Sequence, residues 1–177
     1  LVGSEMCIRD RYSSAQTPTL ITLNNNKGQE MVTLLDNKEL KSKTAQLNMP
    51  TKEFFSFKTN EGVELNGWMM KPANFNPSKK YPVIMHQYSG PGSQQVLDKW
   101  GIGSFSDGGM FEAVMCDKGY IMVCVDGRGT GGRGAAFEKC TYLSIGVKEA
   151  TDQAEAAKYL STLPYVDGSR IGIWGWS

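Results

Sequence analysis

The sequence runs to 177 residues, enough for one ordinary domain or for a domain and part of another. It is 40% hydrophobic and 21% charged with a formal net charge of +1, so no basic field argues for nucleic acid and no acidic tail for a cationic partner. No apolar run is long enough to cross a bilayer as a helix. Four scattered cysteines (Cys7, Cys116, Cys124 and Cys140), a single histidine and the absence of CxxC argue against a zinc site.

The chain opens on Leu1 rather than Met, and "LVGSEMCIRDRY" lacks the basic-then-apolar pattern of a signal peptide. Residues 1–12 are assigned to no element and are treated as unassigned, non-native sequence such as a cloning scar leaves. With the ending on Ser177, they suggest a piece of a longer chain. "TLITL" (Thr19–Leu23) and "EMVTLL" (Glu30–Leu35) flank "NNNKGQ", whose Asn and Gly residues suit a turn, and predict a hairpin. "DNKELKSKTAQLNMP" reads as a charged connector ending at Pro50.

From Thr51 the pattern changes, and the best domain boundary lies near Pro50. "EFFSFKT" and "ELNGWMMKP" predict a second hairpin around Asn60-Glu61-Gly62. "YPVIMHQY" predicts a denser apolar strand, with Pro82 at its start where a missing N–H is tolerated. "GMFEAVMCDKG" has helical spacing and a glycine stop at Gly119. "YIMVCVD" (Tyr120–Asp126) is almost wholly apolar, the mark of a strand buried on both faces. "VKEATDQAEAAKYLSTL" (Val147–Leu163) is the strongest helix, closed by Pro164, and "RIGIWGW" predicts a further buried strand. Cys116 and Cys124 sit in apolar segments, where a buried thiol acts as a small hydrophobe. Two hairpins followed by strand–helix–strand–helix–strand give an α/β class with helices on the sheet's faces.

Three stretches bear on chemistry. Gly175-Trp176-Ser177 is the first half of a G-x-S-x-G nucleophile elbow, in which a serine sits at a tight strand-to-helix turn. A serine there can equally cap a following helix. "HQYSGPGSQ", from His86, follows a buried strand, where hydrolases of the α/β type keep the loop that supplies oxyanion donors. The Tyr88 hydroxyl can be such a donor, worth about 3–4 kcal/mol of barrier; it can also be an aromatic packing at a strand end. His86 lies two residues from Tyr88 and reads as structural, since this fold brings its histidine far downstream of the serine. In "DGRGTGGRG" (Asp126–Gly134), Gly127, Gly129 and Gly132 fit a dinucleotide fingerprint. The loose "GGRGAAFEKC" that follows, with Arg128 and Arg133, instead reads as a surface loop at the sheet's carboxyl edge.

Taken in order, "KYPVIMHQYSGPGSQ", "GYIMVCVDGRGTGGRG" and "YVDGSRIGIWGWS" strongly resemble the prolyl oligopeptidase family of serine peptidases, over about residues 50–177. The Tyr-Ser-Gly-Pro loop and the Gly-Trp-Ser ending are similar to its dipeptidyl peptidase IV branch, including bacterial members. The resemblance implies that residues 13–50 are the last strands of a β-propeller and a connector. It further implies that 51–177 are the N-terminal part of an α/β-hydrolase catalytic domain, the first half of its sheet. Ser177 then matches the nucleophile that forms an acyl-enzyme, and Tyr88 the oxyanion-hole tyrosine; Asp126 and Arg128 receive no catalytic role. The second oxyanion donor, the N–H after the serine, and the triad's Asp and His would lie outside this chain, as would the glutamates that hold a substrate's amine. The chain alone is therefore expected to be inactive.

The implied activity is release of N-terminal dipeptides with Pro or Ala second, acting on a peptide substrate, with no metal or organic cofactor and no nucleic acid. The full-length form would be a homodimer in a periplasmic, secreted or membrane-anchored setting. The alternatives are another hydrolase of the same fold (endopeptidase, acylaminoacyl peptidase or esterase), a non-catalytic peptide-binding relative, and, ranked last, a dinucleotide binder.

Overall fold

Two sheets carry the strands in the computed structural model, which describes residues 6–47, 49–101, 103 and 109–176. The chain is of mixed α/β type and divides into two compact units, one from the residues up to Met49 with Asp98–Gly101, the other from Pro50–Leu97 and the residues after 102.

The first unit is an antiparallel sheet in the order β1 (Ile8–Ser14), β2 (Thr17–Asn24), β3 (Glu30–Leu35). The β2–β3 hairpin falls where the sequence predicts it. Its turn is made by Asn25, whose side-chain oxygen accepts from the Lys27 and Gln29 amides at 2.9 and 3.0 Å. Asp98 belongs here because its carboxylate accepts from the Ala15 amide at 2.6 Å. Two expectations are corrected. Ile8–Arg11 and Tyr12, within the stretch left unassigned, extend along β2 with Ile8 opposite Asn24 and Tyr12 opposite Leu20. The isolated run "IRDRY" has too few apolar residues to announce a strand, but a partner ladder makes it one. The charged connector contains a helix, α1 (Lys38–Gln46), composed of good helix formers with a Glu39–Lys43 pair at 2.7 Å and no buried residue.

The second unit is a five-stranded sheet built from β4 (Lys52–Lys58), β5 (Glu64–Met70), β6 (Tyr81–His86), β7 (Ile121–Asp126) and β8 (Val166–Trp174), in the order β4-β5-β7-β6-β8. β4, β5 and β7 pair antiparallel in succession, whereas β6 runs parallel to both β7 and β8. Helices α2 (Met110–Asp117), α3 (Ala135–Glu138) and α4 (Val147–Ser161) join the later strands. The alternation of side chains along β7 separates two cores. Ile121, Val123 and Val125 join Leu65, Met69, Val83 and Met85 against Ala156 and Leu160 of α4. Met122 and Cys124 join Trp68 and Met70 against Cys116 of α2. All six residues of β7 are buried, as its unbroken apolar run requires.

Helix α4 is held at its start by Glu149, which accepts from the Gly146 amide at 2.9 Å. Its buried stripe changes character along its length, from Glu149, Asp152 and Gln153 to Ala156 and Leu160. At the apolar end, Tyr159 of the helix stacks on Phe57 of β4 with ring centroids 4.6 Å apart. β8 is not the buried strand the sequence suggests. Among the described residues it pairs only with β6, and a groove of about 520 Å³ between it and α4 leaves Ile173 56% exposed.

Two measurements check this packing. A Cβ on Gly67, in the middle of β5, would stand 2.5 Å from the Phe55 ring and 2.9 Å from the Cys124 carbonyl oxygen. The ring can swing but the carbonyl is fixed in the ladder, so Gly67→Ala is expected to cost about 1–3 kcal/mol. That loss would be read as a lower denaturant midpoint at unchanged slope. Burial pushes the Cys116 thiol up to about 12 and raises Cys124 well above its ordinary value. Alkylation near pH 8 should therefore label exposed Cys7 promptly, and Cys116 and Cys124 only after unfolding. Prompt modification of Cys124, followed by mass spectrometry, would contradict this core.

Candidate active site

Because β6, β7 and β8 are parallel, their carboxyl ends and the segments that follow lie along one edge of the sheet. β5 runs opposite to β7, with Asn66 across from Asp126, so the β4–β5 turn comes to the same edge. In open sheets with parallel strands this edge is where ligands bind.

Tyr88 emerges two residues past the end of β6. It is 43% exposed, and its hydroxyl makes no hydrogen bond to another described residue. Ser177 lies outside the described residues, but the strand that leads to it does not. The Gln87 amide donates to the Trp174 carbonyl at 3.0 Å, continuing the β6–β8 ladder beyond both strands. A Cβ on Gly175 would sit 2.5 Å from the Gln87 carbonyl oxygen, so only glycine fits this approach. The segment carrying Tyr88 and the segment running toward residue 177 thus leave from touching strand ends.

The loop after β6 is pinned to its neighbours at several points. The Asp126 carboxylate, at the end of β7, accepts from the Gln95 amide at 3.0–3.1 Å and the Val96 amide at 2.8 Å. The Gly131 amide donates to the Ser93 carbonyl at 2.7 Å, and Glu138 accepts from the Gly92 amide at 2.8 Å. Trp68 Nε1 donates to the Gln95 carbonyl at 3.1 Å, and Ser93 Oγ donates to the Gly90 carbonyl at 2.7 Å. Burial raises the Asp126 pKa, and the Val96 and Gln95 amides work in the opposite direction.

The Asp126–Gly134 stretch lies at the carboxyl edge, as expected, but its first half is not a surface loop. Residues 126–130 are all buried. Arg128 is held side-on by Asp152 of α4, through Nε at 3.0–3.1 Å and Nη2 at 2.7 Å, while its own amide donates to the same carboxylate at 2.7 Å. Nη1 reaches Glu61 in the β4–β5 turn at 2.6 Å. Asp152 and Glu61 keep the guanidinium firmly charged. The dinucleotide fingerprint is not formed, since the helix after β7 has four residues and begins only past Gly134. Hydrophobic periodicity singles out neither Asp126 nor Asp152. The available signals were a carboxylate closing an otherwise apolar strand, and two acids, Glu149 and Asp152, on the buried stripe of α4.

His86 is buried at the end of β6, its ring 5.5 Å from that of Trp174. Burial lowers its pKa, with Glu112 opposing, so it is a neutral packing group facing the α2 side of the sheet. Among the described residues, no group of three or more His, Cys, Asp or Glu side chains could hold a metal ion.

Residues 109–177 match the model of the prolyl oligopeptidase family. Over 145 residues the chain is 39% identical to a protein described as a probable dipeptidyl-aminopeptidase B of Metarhizium robertsii, covering 82% of this chain and 15% of that one. A protein of the same description from Emericella nidulans is 42% identical over 142 residues, covering 80% of this chain and 15% of its own length. The chain thus spans about 15% of the length of these two curated relatives. The crystal structure of Porphyromonas gingivalis dipeptidyl peptidase 4 superimposes with a TM-score of 0.87 at 43% identity, covering 99% of this chain and 26% of that one. With an edge so arranged and motifs in this order, the chain belongs to the prolyl oligopeptidase family, in its dipeptidyl peptidase IV branch.

Proposed function

We propose that this chain is part of a serine peptidase that releases dipeptides from the N-terminus of peptide substrates, with Ser177 as its nucleophile and Tyr88 as an oxyanion donor. One observation carries the reading: the Gln87–Trp174 hydrogen bond and the Gly175 approach bring the ends of β6 and β8 into contact at the carboxyl edge. In this mechanism the Ser177 hydroxyl attacks the carbonyl carbon of the scissile peptide bond and gives up its proton to a base. The charge that forms on the carbonyl oxygen accepts a hydrogen bond from the exposed Tyr88 hydroxyl. The C–N bond then breaks, the amine leaves protonated, and water releases the dipeptide from the acyl-enzyme.

Residues 51–177 act in this reading as part of an α/β-hydrolase domain, which the parallel β6, β7 and β8 with helices on both faces support. Residues 13–50 act as propeller strands and a connector. The antiparallel β1–β3 sheet suits that role, since Met31, Val32 and Leu34 stand half exposed and are suited to cover by further blade structure. The chain's lone histidine is 3% exposed and packed against the Trp174 ring, shut into the core on the α2 side of the sheet rather than presented at the carboxyl edge as a base for Ser177 would be. We infer that the 177 residues alone do not turn over substrate. The preference for Pro or Ala in the second position is proposed from the likeness of the Tyr-Ser-Gly-Pro and Gly-Trp-Ser stretches to the dipeptidyl peptidase IV branch.

In the full-length enzyme, Tyr88→Phe should lower kcat about 10²–10³-fold on a dipeptidyl p-nitroanilide with little change in KM. Ser177→Ala should abolish acyl-enzyme formation, followed as loss of labelling by a fluorophosphonate. Equal turnover of substrates with a free and a blocked amino terminus would replace the dipeptidase reading with an endopeptidase one.

A further inference from the structure

Asp126 has no part in the mechanism above, yet it occupies an unusual place. Its carboxylate ends a strand whose other residues are all apolar, it is 5% exposed, and its hydrogen bonds among the described residues go to backbone amides. What it holds is backbone: the Gln95 and Val96 amides, at 3.0–3.1 and 2.8 Å. Those amides belong to the loop that begins at Gln87 and carries Tyr88.

The other restraints on the loop act nearer its start and at single points. Gly90 and Gly92 both adopt positive φ (117° and 78°), conformations open to little else, and the stretch next to Tyr88 is braced locally by Ser93 Oγ, which donates to the Gly90 carbonyl at 2.7 Å. Its start is fixed by Gln87 on Trp174, and its middle by Glu138 on Gly92 and Gly131 on Ser93. Asp126 fixes the loop further along, with the only side-chain carboxylate among the described residues that takes two successive loop amides, and charge-assisted bonds of this kind are about twice as strong as neutral ones. The Trp68 indole reinforces the same point by binding the Gln95 carbonyl between those amides.

Resting on the reading of Tyr88 as an oxyanion donor, we propose that Asp126 is a positioning residue that sets the place of the Tyr88 hydroxyl by anchoring the loop at Gln95 and Val96. The carboxylate acts through the loop and touches no reacting atom. An oxyanion donor works only within hydrogen-bond distance of the forming charge, so a slackened loop costs turnover without altering substrate affinity.

The test is a double-mutant cycle in the full-length enzyme. Asp126→Asn keeps the shape of the side chain but turns an amide NH₂ toward one of the loop donors. It should lower kcat about tenfold with KM within about twofold. In a Tyr88→Phe background the same substitution should change kcat by less than about twofold, because the group it positions is gone. Asp126→Glu, which retains an acceptor carboxylate, should keep an intermediate kcat and takes the place of Asp126→Asn in the cycle if that variant does not fold. Equal losses in both backgrounds, or an unchanged kcat where Tyr88→Phe is itself costly, would overturn the proposal. A silent Tyr88→Phe variant sinks the reading of Tyr88 instead. Hydrogen exchange then judges the anchor by itself: faster exchange at Gln95 and Val96 in Asp126→Asn upholds it, and unchanged protection overturns it.

Discussion

Burying a carboxylate at the end of an apolar strand is costly unless donors meet it, and the carboxyl edge of the sheet is organised around the donors that meet Asp126. β7 is covered on both faces, by α2 and by α4, so its last residue has no solvent to turn to. The donors come from the backbone of the loop after β6, which draws that loop over the end of β7. A requirement for hydrogen-bond satisfaction inside the core thereby becomes a constraint on the shape of the surface above it.

Arg128 extends the same logic sideways. Buried ion pairs are weak contributors to net stability, because the desolvation of both charges offsets their attraction. Their value here is geometric. One guanidinium contacts the exit of β7 through its own backbone, α4 through Asp152 and the β4–β5 turn through Glu61, so three separate elements are held to a common point. The polar half of the α4 stripe exists for this purpose, with Gln153 adding a bond from its amide to the Val125 carbonyl at 2.9 Å. Stability is concentrated at the other end of the helix, where Ala156 and Leu160 meet the aliphatic core.

Much of this architecture is legible in the residues. The apolar run of β7, the glycine turn between β4 and β5, the Ala-rich α4 and the proline after it each dictate their element by local chemistry, and the order of elements fixes the class. The elements that were not legible are those whose reasons are nonlocal. "IRDRY" becomes a strand only because β2 offers it a ladder. α1 buries nothing, so it shows no amphipathic stripe to read. β8 has the composition of an interior strand, yet its exposure depends on what lies beside it, which no pattern within the strand records. The site divides the same way. Tyr88 and the Gly-Trp-Ser stretch stand out by motif, while the contacts of Asp126 and Arg128 depend on residues 24 to 67 positions away along the chain.

The strand order also dictates a timetable. β4 and β5 are joined by a short turn and can pair as soon as both exist. β6 comes next in the chain but sits between β7 and β8, so both of its edges stay open until later residues are made. Its second ladder waits for β8, delivered across the sheet by α4. Pairings of such long sequence separation are slow to form, and an unpaired apolar strand is vulnerable meanwhile. On a ribosome, the touching ends of β6 and β8 can come together only after the β4–β5 hairpin and the whole of α4 have been made, so the contact that joins these two strand ends is a late one among the described strands.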